Sequence, residues 1–513
     1  MALKRKGRAG DGSPIYKMFG NGSEQVFHLD GKADFVKLRS ADWMGLLTGG
    51  DGSNTVKVKS FMETALLSGG DDRLVVSGGR GMVKFADLGD GNDTVSLGGR
   101  GEIRALRTGE GGDKVLLKKT AEVKFLEAGD GGDTVTLAGR AQVRAMELGD
   151  GNDLLRMTGA SRSNAVDTGD GNDTVVVSGE ARIDTLVLGG GRQDTLVLNG
   201  ANANYVNGWA GATTVTLNGD ARIYMMKLGE GTNRLTTGDG GIESVYSYKG
   251  QNTFNIGSGG VQQMVLSGAG GAQSITADGW MGSITAFDDN VVTLRLNDGA
   301  GSVQLYGSLG HEVTVAGGYV ESMVLSRGGD SVTVWGTQGT GIGALQTRAG
   351  DDTVLVNGGV TYAAMGQGDD TLRVNGWLET ARMGDGDDLF VGGGNDEFVR
   401  GGEGDDQLRG GGGNDVLDGG GGVDTLVGGE GDDMLRGGGG ADAFVFDTAG
   451  GDDVIVDYQV GLDKIDLSDL NLSLGGIFRV VSSEGSVIDY GEGTITLVGV
   501  TVEDVANSGG FIF

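Results

Sequence analysis

Asp406, Asp415, Asp424, Asp433 and Asp442 recur at a fixed interval of nine residues, each inside a glycine-rich stretch. The five copies read GGEGDDQLR, GGGGNDVLD, GGGGVDTLV, GGEGDDMLR and GGGGADAFV. Their common form is G-G-x-G-x-D-x-U-x, with U a large apolar residue, a pattern whose mechanics are those of a calcium-binding parallel β-helix. Each copy supplies a loop and then a short strand. Leu408, Leu417, Leu426, Leu435 and Phe444 take the inward position, because side chains alternate faces along a strand. The glycines permit the positive φ angles that turn loop carbonyls toward one point. Calcium takes several oxygens, from carboxylates and carbonyls together. If two copies close one turn, Asp406 stacks on Asp424 and Asp415 on Asp433, about 4.8 Å apart. Carboxylates that close repel unless a cation lies between them, so folding is expected to be coupled to the metal.

A longer repeat runs upstream. Gly89-Asp90-Gly91-Asn92-Asp93 returns in altered form at 109–113, 129–133, 149–153 and 169–173, an interval of 20 residues. Two apolar columns follow these loops, Val95, Val115, Val135, Leu155, Val175 and Leu97, Leu117, Leu137, Met157, Val177; a second strand carries Val83, Ile103, Val123 and Val143. One 20-residue unit therefore reads as a complete turn with two strands, one acidic loop and one plain turn such as Gly98-Gly99-Arg100-Gly101. Calcium is expected in single file beside Asp93, Asp113, Asp133, Asp153 and Asp173, and in two files through the nonapeptides. Between about 190 and 325 the period persists while the acid fades to Thr213-Thr214, Thr232-Asn233, Gln251-Asn252 and Ala272-Gln273, so few or no ions are expected there. Acidic loops return at Asp330, Asp352, Asp370 and Asp388, and Asp396 leads into the five nonapeptides.

The nonapeptides resemble the RTX (repeats-in-toxin) family of secreted bacterial proteins. With the strand-like alternation of valine, threonine and leucine, the resemblance implies an all-β chain, a right-handed parallel β-solenoid (RTX β-roll) with coils of about 20 residues and a C-terminal cap. The expected divisions are an N-terminal arm and first coil (1–48), a degenerate 20-residue-repeat solenoid (49–380), the nonapeptide β-roll (381–446), and a cap with secretion signal (447–513). Multiple calcium ions are implied as cofactors, held by Asp93, Asp113, Asp133, Asp153, Asp173, Asp352, Asp370, Asp388, Asp396, Asp406, Asp415, Asp424, Asp433 and Asp442. The tail, ending Gly510-Phe511-Ile512-Phe513, is similar to the uncleaved signals of such proteins, which implies export by a type I secretion apparatus. The plainer reading is that it covers the solenoid end. A short helix is expected near Val502 to Asn507.

Composition narrows the function. A net charge of −31 argues against nucleic acid as a partner. Cysteine is absent, which suits an extracellular protein stapled by metal rather than disulfides. No stretch is apolar enough for a transmembrane segment, and the basic Met1–Arg8 start lacks the apolar run of a Sec signal peptide. Only His28 and His311 exist, neither in a zinc motif, and no catalytic constellation emerges. The expected function is a secreted, extracellular or cell-surface, calcium-binding structural protein that folds on calcium and assembles with itself into a surface layer or filament. The alternatives are a monomeric calcium-dependent adhesin or matrix protein, or a polysaccharide-acting β-helix enzyme. Other copies of the chain are the expected partners, with Ile15–Phe19 as donor strand, first-coil cap or leader. Anionic cell-surface polysaccharide could meet the basic ladder Lys84, Arg104, Lys124, Arg144 or the Lys4–Arg8 arm. Trp209, Trp280 and Trp377 suggest a sugar-binding face, though they share no clear sequence register.

Overall fold

The computed structural model describes residues 4–8, 14–17, 26–29, 34–39, 42–79, 81–208, 211–268, 270–336, 339–447, 450–470, 472, 478–482, 485–491 and 493–513. Trp209, Met18 and Phe19 lie outside them. The chain divides into two compact units, Met1–Gln262 and Gln263–Phe513. Each is a parallel β-solenoid.

In the first unit, Thr55–Val58, Arg73–Val76, Thr94–Leu97, Lys114–Lys119 and Thr134–Gly139 stack as parallel neighbours in one sheet. Trp43–Thr48, Phe61–Leu66, Met82–Asp87, Glu102–Glu110 and Glu122–Asp130 do the same in the other. The sequence columns become structural columns. Val95 pairs with Val115 and Val115 with Val135, and all three side chains are buried. The strands alternate buried and partly exposed positions because one face of each sheet covers the core.

The second unit repeats the plan with mostly shorter coils, the 22-residue step from Ser331 to Thr353 being the exception. Thr293 pairs with Glu312 and Glu312 with Ser331, steps of 19 residues. From Thr353 the step is 18, through Thr371, Leu389, Gln407 and Thr425. The nonapeptide-length coil therefore begins upstream of residue 381. The plain turn absorbs the difference. It spans four residues between Leu97 and Glu102 but two between Val374 and Trp377. The acidic turn keeps three, between Glu110 and Lys114 and between Asp385 and Leu389.

The N-terminal residues expected to form a free basic arm are instead a strand. Lys4–Arg8 pairs antiparallel with Pro14–Lys17, which lies parallel to Phe35–Leu38. Ile15, Tyr16 and Lys17 thus extend their own sheet, as the first-coil-cap reading expects. At the other end, Asp452–Ile455 pairs with Thr494–Val498, which continues antiparallel through Gly485–Asp489 to Phe478–Ser482. A helix spans Val502–Asn507, its N-terminus capped by the Thr501 hydroxyl accepting from the Asp504 amide. Phe511–Ile512 then adds to Lys464–Asp466. Among the described residues, no helix is long and apolar enough to cross a membrane.

Candidate metal centre

The residue just before each strand of one sheet is where the acidic loop delivers its carboxylate. Parallel stacking puts these residues in one file along the sheet edge. The Asp93 amide donates to Oδ1 of Asp113 at 2.7 Å, Asp113 to Asp133 and Asp133 to Asp153 at the same distance, and Asp153 to Asp173 at 2.9 Å. In the second unit the file runs Asp352, Asp370, Asp388, Asp406, Asp424, each amide donating to the next Oδ1 at 2.8–2.9 Å. The Asp424 amide continues it to Asp442 at 3.0 Å. A second file occupies the opposite edge, with Asp415 donating to Asp433 at 2.7 Å.

Each bond uses one carboxylate oxygen. The other, Oδ2, is buried and has no hydrogen-bond partner at Asp93, Asp113, Asp133, Asp153, Asp173, Asp352, Asp370, Asp388, Asp406, Asp415, Asp424, Asp433 and Asp442. A buried carboxylate oxygen without a partner is costly. Burial, reinforced by carboxylates along the file, raises Asp93, Asp370 and Asp406 to about 8. Asp133 and Asp153 rise to about 7 for the same reasons. Such a file fits a cation.

Glycine builds the rest of the cradle. Gly420 sits at φ +115° with the Gly402 carbonyl 2.1 Å from where a Cβ would be, so only glycine lets successive loops nest. A Cβ on Gly410 would lie 2.1 Å from Oδ2 of Asp415. No group of three acidic or histidine side chains converges on one point among the described residues. Loop carbonyls stand beside free oxygens of the nonapeptide files: a Cβ on Gly401 would lie 2.2 Å from Asp406 Oδ2 and 2.4 Å from the Gly419 carbonyl, and one on Gly410 2.7 Å from the Gly428 carbonyl, a donor set suited to calcium.

The structure also redraws the set read from sequence. Asp396 is exposed and points away from the file, its Oδ1 accepting from the Asn414 amide. Glu397 takes the inward place, with its amide donating to Asp415 Oδ1 at 2.7 Å. Asp72 and Asp194 belong to the first file, each with an unpartnered buried Oδ2. Asp453 continues the second file beyond Asp433. Asp463 ends the second unit's Asp352–Asp442 file, its Oδ2 accepting from the Gln459 amide at 2.7 Å. Asp330 is different again. Ser326 donates to both of its oxygens through amide and hydroxyl, so this carboxylate has little left to offer a metal.

Neutral groups hold the same places between the acidic zones. In the first unit Asn233 donates from Nδ2 to the Gly229 carbonyl at 3.1 Å and to Asn252 Oδ1 at 2.9 Å. In the second, His311 Nδ1 accepts from the Val292 amide, and burial lowers its pKa to about 4, which keeps the ring neutral.

The model of the RTX calcium-binding nonapeptide repeat (4 copies) matches residues 384–417, 391–426 and 418–455. The solution structure of a subunit of the mannuronan C5-epimerase from Azotobacter vinelandii is 33% identical over 24% of this chain and 81% of that one, with a TM-score of 0.20. No curated protein matches the chain.

Proposed function

Because residues 384–455 match the RTX calcium-binding nonapeptide repeat, we propose that the chain is a secreted, non-catalytic structural protein. It folds on calcium outside the cell and assembles with its own copies into a surface layer or filament. One observation carries the calcium part: a buried, unpartnered carboxylate oxygen recurs coil after coil. The Oδ2 atoms of the two files and the glycine-loop carbonyls beside them would hold the ions. Calcium supplies the positive charge that lets neighbouring carboxylates stay ionised at close range. Without that charge the files oppose folding, which favours an extended chain during type I export and a folded one in calcium-rich surroundings.

The assembly part rests on the terminal strands Lys4–Arg8 and Phe511–Ile512, each paired on one side only among the described residues, whose outer edges can accept a second chain. The basic ladder supports lateral contact less. Lys84 faces Glu63 at 2.6 Å, and Glu102 lies 3.5 Å from Lys124 and 3.8 Å from Arg104, so much of this charge is already matched.

Electron microscopy and light scattering of the full chain, in millimolar calcium and in chelator, test the proposal. Ordered polymers in calcium alone are expected. Folded monomers in calcium would reject assembly and favour a calcium-dependent adhesin or matrix protein. Equal folding in chelator would reject the calcium reading itself.

A further inference from the structure

On the plain-turn edge of the second unit, away from its Asp352–Asp388 file, Tyr319, Gly341, Gly359 and Trp377 share one register column. Two exposed aromatic residues thus bracket two glycines, across roughly 14 Å at about 4.8 Å per strand. The rings lean over the glycine floor. A Cβ on Gly359 would come within 3.3 Å of the Trp377 indole, and one on Gly343 within 2.7 Å of the Tyr319 hydroxyl. Tyr319 is 43% exposed and Trp377 46%.

A hollow of about 160 Å³ lies between the rings, with Thr340 and Thr361 on its walls. A second, of about 630 Å³, shares Trp377, Thr340 and Gly359 with it and adds Asn357, Asn375 and Asn395. Asn375 donates to Asn357 Oδ1 at 2.9 Å, and Asn395 to the Gly376 carbonyl at 2.7 Å. Asn357 Nδ2 is buried and has no partner. Among the described residues, neither hollow is lined by a charged side chain.

We infer that this double hollow binds an uncharged saccharide chain. Aromatic faces match the C–H faces of sugar rings, while amides and hydroxyls match their hydroxyl groups. Asn357 offers a donor that protein leaves unsatisfied. The uncharged lining distinguishes the ligand from an anionic polysaccharide, which would bring charges that nothing here pairs. Rings that only shielded glycine backbone would need no such donor. The inference goes beyond the structural role and does not depend on assembly.

The test is native affinity electrophoresis of the full chain in calcium, through gels containing hydroxyethylcellulose, laminarin, xyloglucan or galactomannan, with alginate as the charged comparison. Retardation by at least one uncharged polymer is expected. Trp377→Ala and Tyr319→Ala should each weaken it by about tenfold or more, as truncated aromatic anchors do, while Trp377→Phe largely keeps it. Circular dichroism in calcium checks the fold of each variant. If an alanine variant does not fold, Asn357→Asp, which puts charge where the free donor sits, should give the same loss. No retardation by any uncharged polymer, retardation by alginate alone, or binding that survives these substitutions would overturn the inference.

Discussion

Apart from Asp330, Asp453 and Asp463, each inward aspartate of the files gives one oxygen to the backbone and keeps the other free. Asparagine separates these roles. In Asp133→Asn the amide oxygen can still accept from Asp113, and Nδ2 can donate to the Gly129 carbonyl as Asn233 does to Gly229. Chemical denaturation in chelator should show this variant more stable than the parent by about 1–3 kcal/mol, the scale of relieving a buried unpaired group. In calcium the order should reverse; equal effects in both conditions would sink the metal assignment of that oxygen. Gly410 tests the cradle. Gly410→Ala drives a methyl against Asp415 Oδ2, whereas a Cβ on Gly394 meets nothing within 4 Å. Calorimetric titration should find Gly410→Ala binding less calcium and Gly394→Ala matching the parent. Most inward residues were legible because the aspartate stands two places before a buried apolar side chain. Counting back from Val399 reaches Glu397, whereas Asp396 stands three places before it and so falls outside the inward register. The same count reaches Asp72 from Leu74, Asp194 from Leu196, and Asp453 from Ile455. The saturation of Asp330 by Ser326 depends on how a loop folds back, which spacing does not encode.

At the scale of the strand stack, the file titrates as a column of neighbours. The folded, metal-free chain holds protons on Asp93, Asp370 and Asp406 up to about 8 and on Asp133 and Asp153 up to about 7, from the ordinary 3.8. Groups that bind protons more tightly when folded stabilise the fold at low pH and cease to as pH rises through their folded values. In chelator, the denaturant midpoint should therefore fall between about pH 4 and pH 8. The gain from added calcium should grow over the same window, because deprotonated carboxylates are the ligands. A metal-free midpoint that rose with pH would contradict the buried, unpartnered geometry. Neutral rungs lack this sensitivity. Hydrogen exchange in chelator at pH 8 should leave the Thr213 and Asn233 amides, bonded to asparagine oxygens at 2.9 and 3.1 Å, better protected than those of Asp113 and Asp133. The 20-residue coil was legible because its acidic loop recurs with two apolar columns. The 18-residue coil beginning at Thr353 is marked as well, because Asp352, Asp370 and Asp388 stand 18 apart and the shortened plain turn Asn357-Gly358 returns as Asn375-Gly376, but these loops lack the full nonapeptide pattern that marks residues 401–445.

For the whole molecule, a net charge of −31 acts in two ways that salt and calcium separate. General repulsion among exposed acids is screened by simple salt, with a Debye length of about 8 Å at physiological strength. Repulsion within a buried file is screened much less, since the carboxylates lie where mobile ions do not enter. If exposed charge governed compaction, sodium chloride would fold the chain nearly as well as calcium. If the buried files govern it, only an ion that sheds water and accepts carboxylate and carbonyl oxygens will do so. Fully unfolded, 513 residues would have a radius of gyration on the order of 85 Å. Small-angle scattering in chelator at neutral pH should give an expanded chain, with sodium chloride contracting it only partly. Millimolar calcium should produce the compact β-rich state, read in parallel by circular dichroism. Full folding by sodium chloride alone would show the files to be a minor part of the molecule's charge problem.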